Sequence, residues 1–557
     1  KYSLGRFRSD LVAGTVVVFI TVPQVIAYAF LAGMPAEAGL YAAMMSLVGY
    51  AIFGSSRALA VGPTAIIAMM TLEAASSYAI PGTVDYTETV VQLCVVTGIV
   101  LIVLRVVNFG SVISFLSHAV VTGFITAAAI LIISNQLPLM IGLASSPDTS
   151  IVGVYRYLFE ETSQFNQVVF IVSLVAVAIL VFCKTYLGSL LKRTGLADEV
   201  IDSLVKSAPM YAVVIGVVSV RLFSLDTAFG VPVVGNIPTV LPDINIVLMS
   251  LERFQALLPS SLLISMVIFM ESTSIGTAIA SKAREKINPN QELVGLGVAN
   301  LGSSLVGGFP VAGSFARSIV NFSSGSVSPV ASLVTAFLVM MTILLFATLF
   351  FHLPKGVLSA IIVISAWQLI DFQAVRKIFS FNGTDAVTFV FTFLAVLSLG
   401  VESGVLIGIA ISFVLLIRSS SKPRIAVVGR VGDSEHFRNV ERYDVRTSPK
   451  LLALRVDESL YFVNTRFIET FILNDVADRR EVEHVLLICT SINFIDTSGL
   501  EMLEELSENL SEVGVTLHMA EVKGPVMDKL KETGFYRNMN GQIFFTTDIA
   551  MKELAGI

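Results

Sequence analysis

Long apolar runs, broken by short polar connections, occupy the first three quarters of the chain. They predict about fourteen membrane spans. The first seven read at 9–32, 39–54, 62–79, 88–107, 113–140, 167–187 and 208–223. The second seven read at 257–281, 291–307, 313–325, 328–351, 355–371, 384–400 and 401–418. The third and tenth are short, and each opens on a helix breaker: Gly62-Pro63 in one half, Gly313-Ser314 in the other. Short, Gly/Pro-interrupted spans at corresponding places in two halves point to a transporter site at a repeat interface.

After residue 420 the pattern changes. Leu451–Val456 and 485–489 read as buried strands, and 515–520 as a further strand. Leu500, Leu503, Leu506 and Leu510 mark one face of a helix, and Pro525 opens another. Strands alternating with helices predict a small α/β domain. The expected division is a membrane domain at 1–420, a linker and approach at 421–446, and the α/β domain at 447–557.

Composition sharpens the division. The chain is 55% hydrophobic over 557 residues, which marks a polytopic membrane protein. Residues 421–557 carry 16 Lys/Arg against 22 Asp/Glu, so the net charge of −6 arises there and the membrane part is balanced. No nucleic-acid partner is implied. Lys184, Lys192, Arg193, Lys206, Lys282, Arg284, Lys286, Arg376, Lys377, Arg418, Lys422 and Arg424 all fall on one side of a fourteen-span topology. The positive-inside rule makes that side, and both termini, cytoplasmic. Cys94, Cys183 and Cys489 are scattered, without disulfide or metal-ligand spacing. The first apolar run is long enough to remain as a span, and no cleavable signal peptide is read.

Two charges interrupt the apolar runs. Arg317 lies in Gly307-Gly-Phe-Pro-Val-Ala-Gly-Ser-Phe-Ala-Arg-Ser-Ile-Val-Asn321, and Glu271 ends Leu262-Leu-Ile-Ser-Met-Val-Ile-Phe-Met-Glu271. A charge at membrane depth costs roughly 3 kcal/mol, so such residues face a partner, a cavity or a substrate. Helices starting near Thr64 and Ser314 would aim two unpaired N-termini at one place. Together they would form an anion cradle to which Arg317 adds a full charge. Burial opposes the charge on Glu271 and Arg317 favours it, so this carboxyl could load and release a proton. The alternatives are a plain loop at Gly62-Pro63, an arginine reaching the membrane surface, and a purely structural Glu271–Arg317 pair. Gln24 and Tyr28, four apart, share a helical face and can donate to an oxyanion. No enzyme constellation, cofactor motif or metal site is present in the sequence, and without an ATP site uphill transport must draw on an ion gradient. In the tail, Asp496 of Ile492-Asn-Phe-Ile-Asp-Thr-Ser-Gly499 is placed to cap a helix. Thr497 and Ser498 beside it are candidate phosphate acceptors.

These residues together resemble the sulfate permease family, bacterial relatives of the solute-carrier-26 anion transporters. The resemblance spans nearly the whole chain. It rests on Pro23-Gln-Val-Ile-Ala-Tyr-Ala-Phe-Leu-Ala-Gly-Met-Pro-Ala-Glu-Ala-Gly-Leu-Tyr41, on Gly54-Ser-Ser-Arg-Ala-Leu-Ala-Val-Gly-Pro63, and on a tail similar to a STAS domain. It implies a 7+7 inverted repeat with a core domain (spans 1–4 and 8–11) moving against a gate domain (5–7 and 12–14), and a homodimer in lipid. Gln24, Tyr28, Thr64, Ala65, Ser314, Phe315, Ala316 and Arg317 match the family's anion site. Ala316 stands where some relatives place serine, so a backbone amide would serve there. Met270-Glu-Ser-Thr-Ser-Ile-Gly276 looks more like proton-coupled sulfate members than sodium-coupled bicarbonate ones, which carry aspartate in that region. The expected function is proton-coupled sulfate uptake across the inner membrane by an elevator mechanism, with Glu271 binding the proton. The alternatives are sodium-dependent bicarbonate symport and an uncoupled exchanger or channel. A cytoplasmic protein partner could bind through the tail.

Overall fold

The computed structural model describes residues 2–110, 117–196 and 198–556. The chain divides into two compact units, 1–410 and 411–557. Along residues 4–421, a helix overlies each of the fourteen expected spans. They are α1 (Leu4–Leu31), α2 (Ala36–Phe53), α3 (Ala65–Ser76), α4 (Val84–Val106), α5 (His118–Met140), α6 (Gln167–Phe182), α7 (Ala208–Phe223), α8 (Leu251–Ala283), α9 (Pro289–Leu305), α10 (Phe315–Ser323), α11 (Val330–Phe346), α12 (Lys355–Trp367), α13 (Gly383–Leu399) and α14 (Val401–Ser421). The opening residues of the expected fifth span, 113–116, lie outside the described residues. Nine helical stretches are long and apolar enough to cross a membrane among the described residues. α3 and α13 are apolar but shorter.

The helices sort into two packing groups. α1–α4 pack with α8–α11, while α5–α7 pack with α12 and α13. The α1–α2 crossing is very close: a β-carbon on Gly39 would lie 2.1 Å from the Val25 carbonyl oxygen, so only glycine fits. Buried carboxylates tie the first group together at its ends. Glu292, fully buried on α9, accepts from the Tyr50 hydroxyl at 2.7 Å and from the Ser55 backbone and hydroxyl at 2.9 and 2.6 Å. Asp10 on α1 accepts from the backbone N–H groups of Val327 and Ser328, ahead of α11, at 2.7 and 3.1 Å. Burying such carboxylates is tolerable because several donors replace water. Between the groups, Glu73 at the end of α3 accepts from the Val401 N–H at 2.9 Å, where α14 starts.

The third and tenth helices are tied by backbone. β1 (Val61–Gly62) pairs antiparallel with β2 (Ala312–Gly313), with Val61 opposite Gly313 and Gly62 opposite Ala312. The connection is reinforced across the halves. The Ser314 N–H donates to Ala60 O at 3.0 Å, the Ser318 hydroxyl accepts from Ala60 N–H at 2.9 Å, and Asn321 Nδ2 donates to Ala58 O at 3.1 Å.

The second unit is a six-stranded sheet with helices on both faces. Its strands are β3 (Ile425–Arg430), β4 (Phe437–Asn439), β5 (Leu451–Val456), β6 (His484–Ile488), β7 (Thr516–Ala520) and β8 (Ile543–Phe544), in the order β4-β3-β5-β6-β7-β8. β5 to β8 run parallel, and β3 joins β5 and β4 antiparallel. Leu452, Leu454, Val485, Leu487, Leu517 and Met519 point into one core, and Leu451, Ala453, Leu486, Ile488 and Ala520 into the other. This alternation explains why the parallel strands read as continuous apolar runs. The stretch 421–446, expected as a linker and approach, thus contributes β3 and β4 to the sheet. Leu503, Leu506 and Leu510 are fully buried on the helix Thr497–Glu512, as the spacing predicts.

Candidate functional site

A cavity of about 340 Å³ opens between the two helix groups. Gln24 and Tyr28 from α1, Thr64 and Ala65 at the start of α3, Ser314, Phe315 and Ala316 at the start of α10, and Glu271 from α8 all line it. Thr64 and Ser314 are the N-cap residues, and neither helix end receives a side-chain cap. The free N–H groups of both helices and their positive dipole ends therefore converge on one space. Thr64 Oγ1 and Gln24 Oε1 are buried there without a hydrogen-bond partner in the protein. Buried polar atoms are nearly always satisfied, so a cluster of unsatisfied ones marks a place for a polar ligand.

Arg317 is placed differently. It is 2% exposed and is absent from the cavity lining; Nη2 donates to the Pro63 carbonyl at 2.7 Å. Gly62 makes room for it, because a β-carbon there would meet Nη1 at 3.1 Å. The guanidinium thus ties α10 to the residue between β1 and the α3 N-cap. Its charge reaches the cavity through the electrostatic field rather than through direct contact. Arg317 and Glu271 form no ion pair within 4.0 Å, and one carboxylate oxygen of Glu271 is buried without a partner.

The sequence reading missed the cavity mouth. Lys184 and Lys206 line it, although they were read only as topology markers. Lys184 sits there because α6 runs on into a π-helical segment, Cys183–Leu187, a wider turn common at functional sites. Lys206 is held by Asp202 and by the Ser323 hydroxyl. Ser365 and Gln368 of the α12 region add further polar groups. In the tail, Asp496 caps its helix as expected. One oxygen accepts from the Gly499 N–H at 2.8 Å and the other from the Phe462 N–H at 3.0 Å. Thr497 is exposed and Ser498 half-buried beside it.

Two helix N-termini and two lysines on one cavity, in a bundle of apolar helices, suit a membrane carrier for anions. Comparison with known proteins agrees. The sequence profile of the sulfate permease family matches residues 7–392, and that of the STAS domain matches residues 442–550. The chain belongs to the sulfate permease family: it is an integral membrane anion transporter rather than an enzyme. Among its relatives is the probable sulfate transporter 4.2 of Arabidopsis thaliana, 30% identical over 550 residues, covering 97% of this chain and 80% of that protein. High affinity sulfate transporter 2 of Stylosanthes hamata is 29% identical over 545 residues, covering 95% and 81%. In fold, the chain is similar to the murine Slc26a9 anion transporter in its inward-facing state, with TM-score 0.88 at 21% identity over 100% of this chain and 93% of that one. It is also similar to the transmembrane domain of the cyanobacterial bicarbonate transporter BicA, with TM-score 0.62 at 21% identity over 74% and 98%.

Proposed function

We propose that the protein takes up sulfate together with a proton, by alternating access of the cavity between α1, α3 and α10. The observation that carries this reading is Glu271: an unpaired carboxyl lining the same cavity as both helix N-termini. A dianion seated on the Thr64–Ala65 and Ser314–Ala316 backbone would meet two half-charges and the field of Arg317. A proton on Glu271 offsets its remaining negative charge, so cargo and proton stabilise each other in one site. The site moves as part of the α1–α4 and α8–α11 group, past α5–α7 and α12–α14, in an elevator motion. Lys184 and Lys206 at the mouth mark it as the cytoplasmic side by the positive-inside rule, so this is an inward-open arrangement in the inner membrane. Sulfate is favoured by the plant relatives, which are sulfate transporters by name. The tail is read as the place where partners or phosphorylation at Thr497 or Ser498 act, in a homodimer.

The test is radiolabelled sulfate uptake into proteoliposomes with an inward proton gradient and no sodium, comparing wild type with Glu271→Gln. Accumulation above equilibrium in wild type, and only downhill flux in the variant, is expected. Accumulation that survives in the variant would remove the proton role. Bicarbonate uptake that needs sodium would replace both substrate and coupling ion.

A further inference from the structure

A second void, of about 110 Å³, lies at the opposite end of α1, α3 and α12 from the cavity mouth. The two spaces stand end to end. α1 lines the central cavity with Tyr28 and this void with Phe30; α12 lines them with Ser365 and Ser359. Its volume equals roughly three to four waters at about 30 Å³ each, room for one small oxyanion.

The lining carries a positive charge and unused hydrogen-bonding groups. Lys355, the first residue of α12, makes no ion pair among the described residues, and its ammonium lies 5.5 Å from the Phe30 ring centroid. Gln136 is 3% exposed and Ser359 1% exposed, and neither side chain makes a hydrogen bond among the described residues. Both line the void together with Lys355, so an amide, a hydroxyl and an ammonium offer hydrogen-bond donors to one space. The carboxylates next in sequence to the lining are engaged elsewhere: Asp148 accepts from Ser150 N–H at 2.8 Å, and Glu73 from Val401 N–H. The lining itself carries one charged side chain, Lys355, and no carboxylate.

We propose that this void is a second anion site, taking one small oxyanion on Lys355, Gln136 and Ser359. That the bound ion is the transported one rests on the reading above; the site itself does not. An anion held there waits one helical turn or so from the central cavity.

The experiment uses selenate, a dianion of sulfate's shape, in crystals of the full chain, with selenium anomalous density as the readout. Wild type is expected to show a peak between Lys355 and Gln136. Lys355→Met, which keeps the stem over Phe30, and Gln136→Leu, of similar volume, are expected to lose that peak and keep any peak in the central cavity. A wild-type void without selenium, or holding only water, overturns the proposal whether or not the central cavity is filled. A peak that survives both substitutions marks an adventitious ion only, and also overturns it. Selenium in the outer void with none in the central cavity leaves this site standing and overturns the sulfate reading of the central one.

Discussion

Replacing Arg317 by glutamine tests whether a residue outside the cavity governs the anion within it. Glutamine retains a donor for the Pro63 carbonyl, which now accepts from Nη2 at 2.7 Å, so the strap can persist while the charge goes. Arg317 lies one turn into α10 and its guanidinium sits at the residue before the α3 N-cap, so roughly 6 Å is taken as its separation from an anion on these N-termini. At an effective dielectric of about 20, one unit charge at that separation is worth about 3 kcal/mol. Water in the 340 Å³ cavity weakens this, so about 1.5–3 kcal/mol is expected, a 10- to 100-fold rise in half-saturating concentration for a monovalent anion. Because the energy scales with the charge of the cargo, a divalent anion suffers roughly the square of that factor. The assay is competition of a monovalent and a divalent oxyanion against labelled substrate in proteoliposomes, wild type beside Arg317→Gln. Equal loss for both anions would refute the field argument and return Arg317 to a purely structural role.

Other consequences can be checked separately. Gly39→Ala would press a methyl against the Val25 backbone at 2.1 Å, and such overpacking costs about 1–3 kcal/mol, so the melting temperature of the purified protein should fall. An unchanged melt would mean that α1 and α2 separate at no cost. In the tail, burial first and then the neighbouring His484 push the His518 imidazole down to about 4 from its ordinary 6.5. The unfolded chain therefore binds the proton more readily, so the contribution of His518 to stability is complete above about pH 6.5 and is lost as pH falls towards 4. Hydrogen exchange in β6 and β7 of the full chain, corrected for intrinsic rates, should quicken from pH 7 to pH 5. His518→Asn, which keeps an acceptor for the Gln542 N–H now bound to Nδ1 at 3.0 Å, should flatten that dependence.

Much of the architecture was legible because its signals are one-dimensional. Apolar runs mark where helices lie, and the breakers Gly62-Pro63 and Gly313-Ser314 mark where α3 and α10 begin. What a charge faces is less legible. Arg317 in an apolar run says that a polar neighbour exists, but not that this neighbour is a carbonyl 254 residues away instead of the cavity. The same holds for Lys184, whose position depends on a π-helical turn with no distinctive residue pattern. β3 is not legible because Ile425–Arg430 follows directly on a Pro/Ser-rich stretch. Its pairing with β5 at Ile425↔Val456 is a long-range fact.

The β1–β2 pairing also bears on how the protein is made. Val61 finds Gly313 only after some 250 further residues have left the ribosome, which at about 5–20 residues per second takes roughly 13–50 s. Through that interval α3 must reside in or beside the translocon, with the backbone groups of β1 lacking their ladder and the Pro63 carbonyl lacking its arginine. The first half of the chain is thus an unfinished part that depends on shelter until the second half arrives. A message truncated before Arg317 would yield a product fit for degradation rather than a partial transporter.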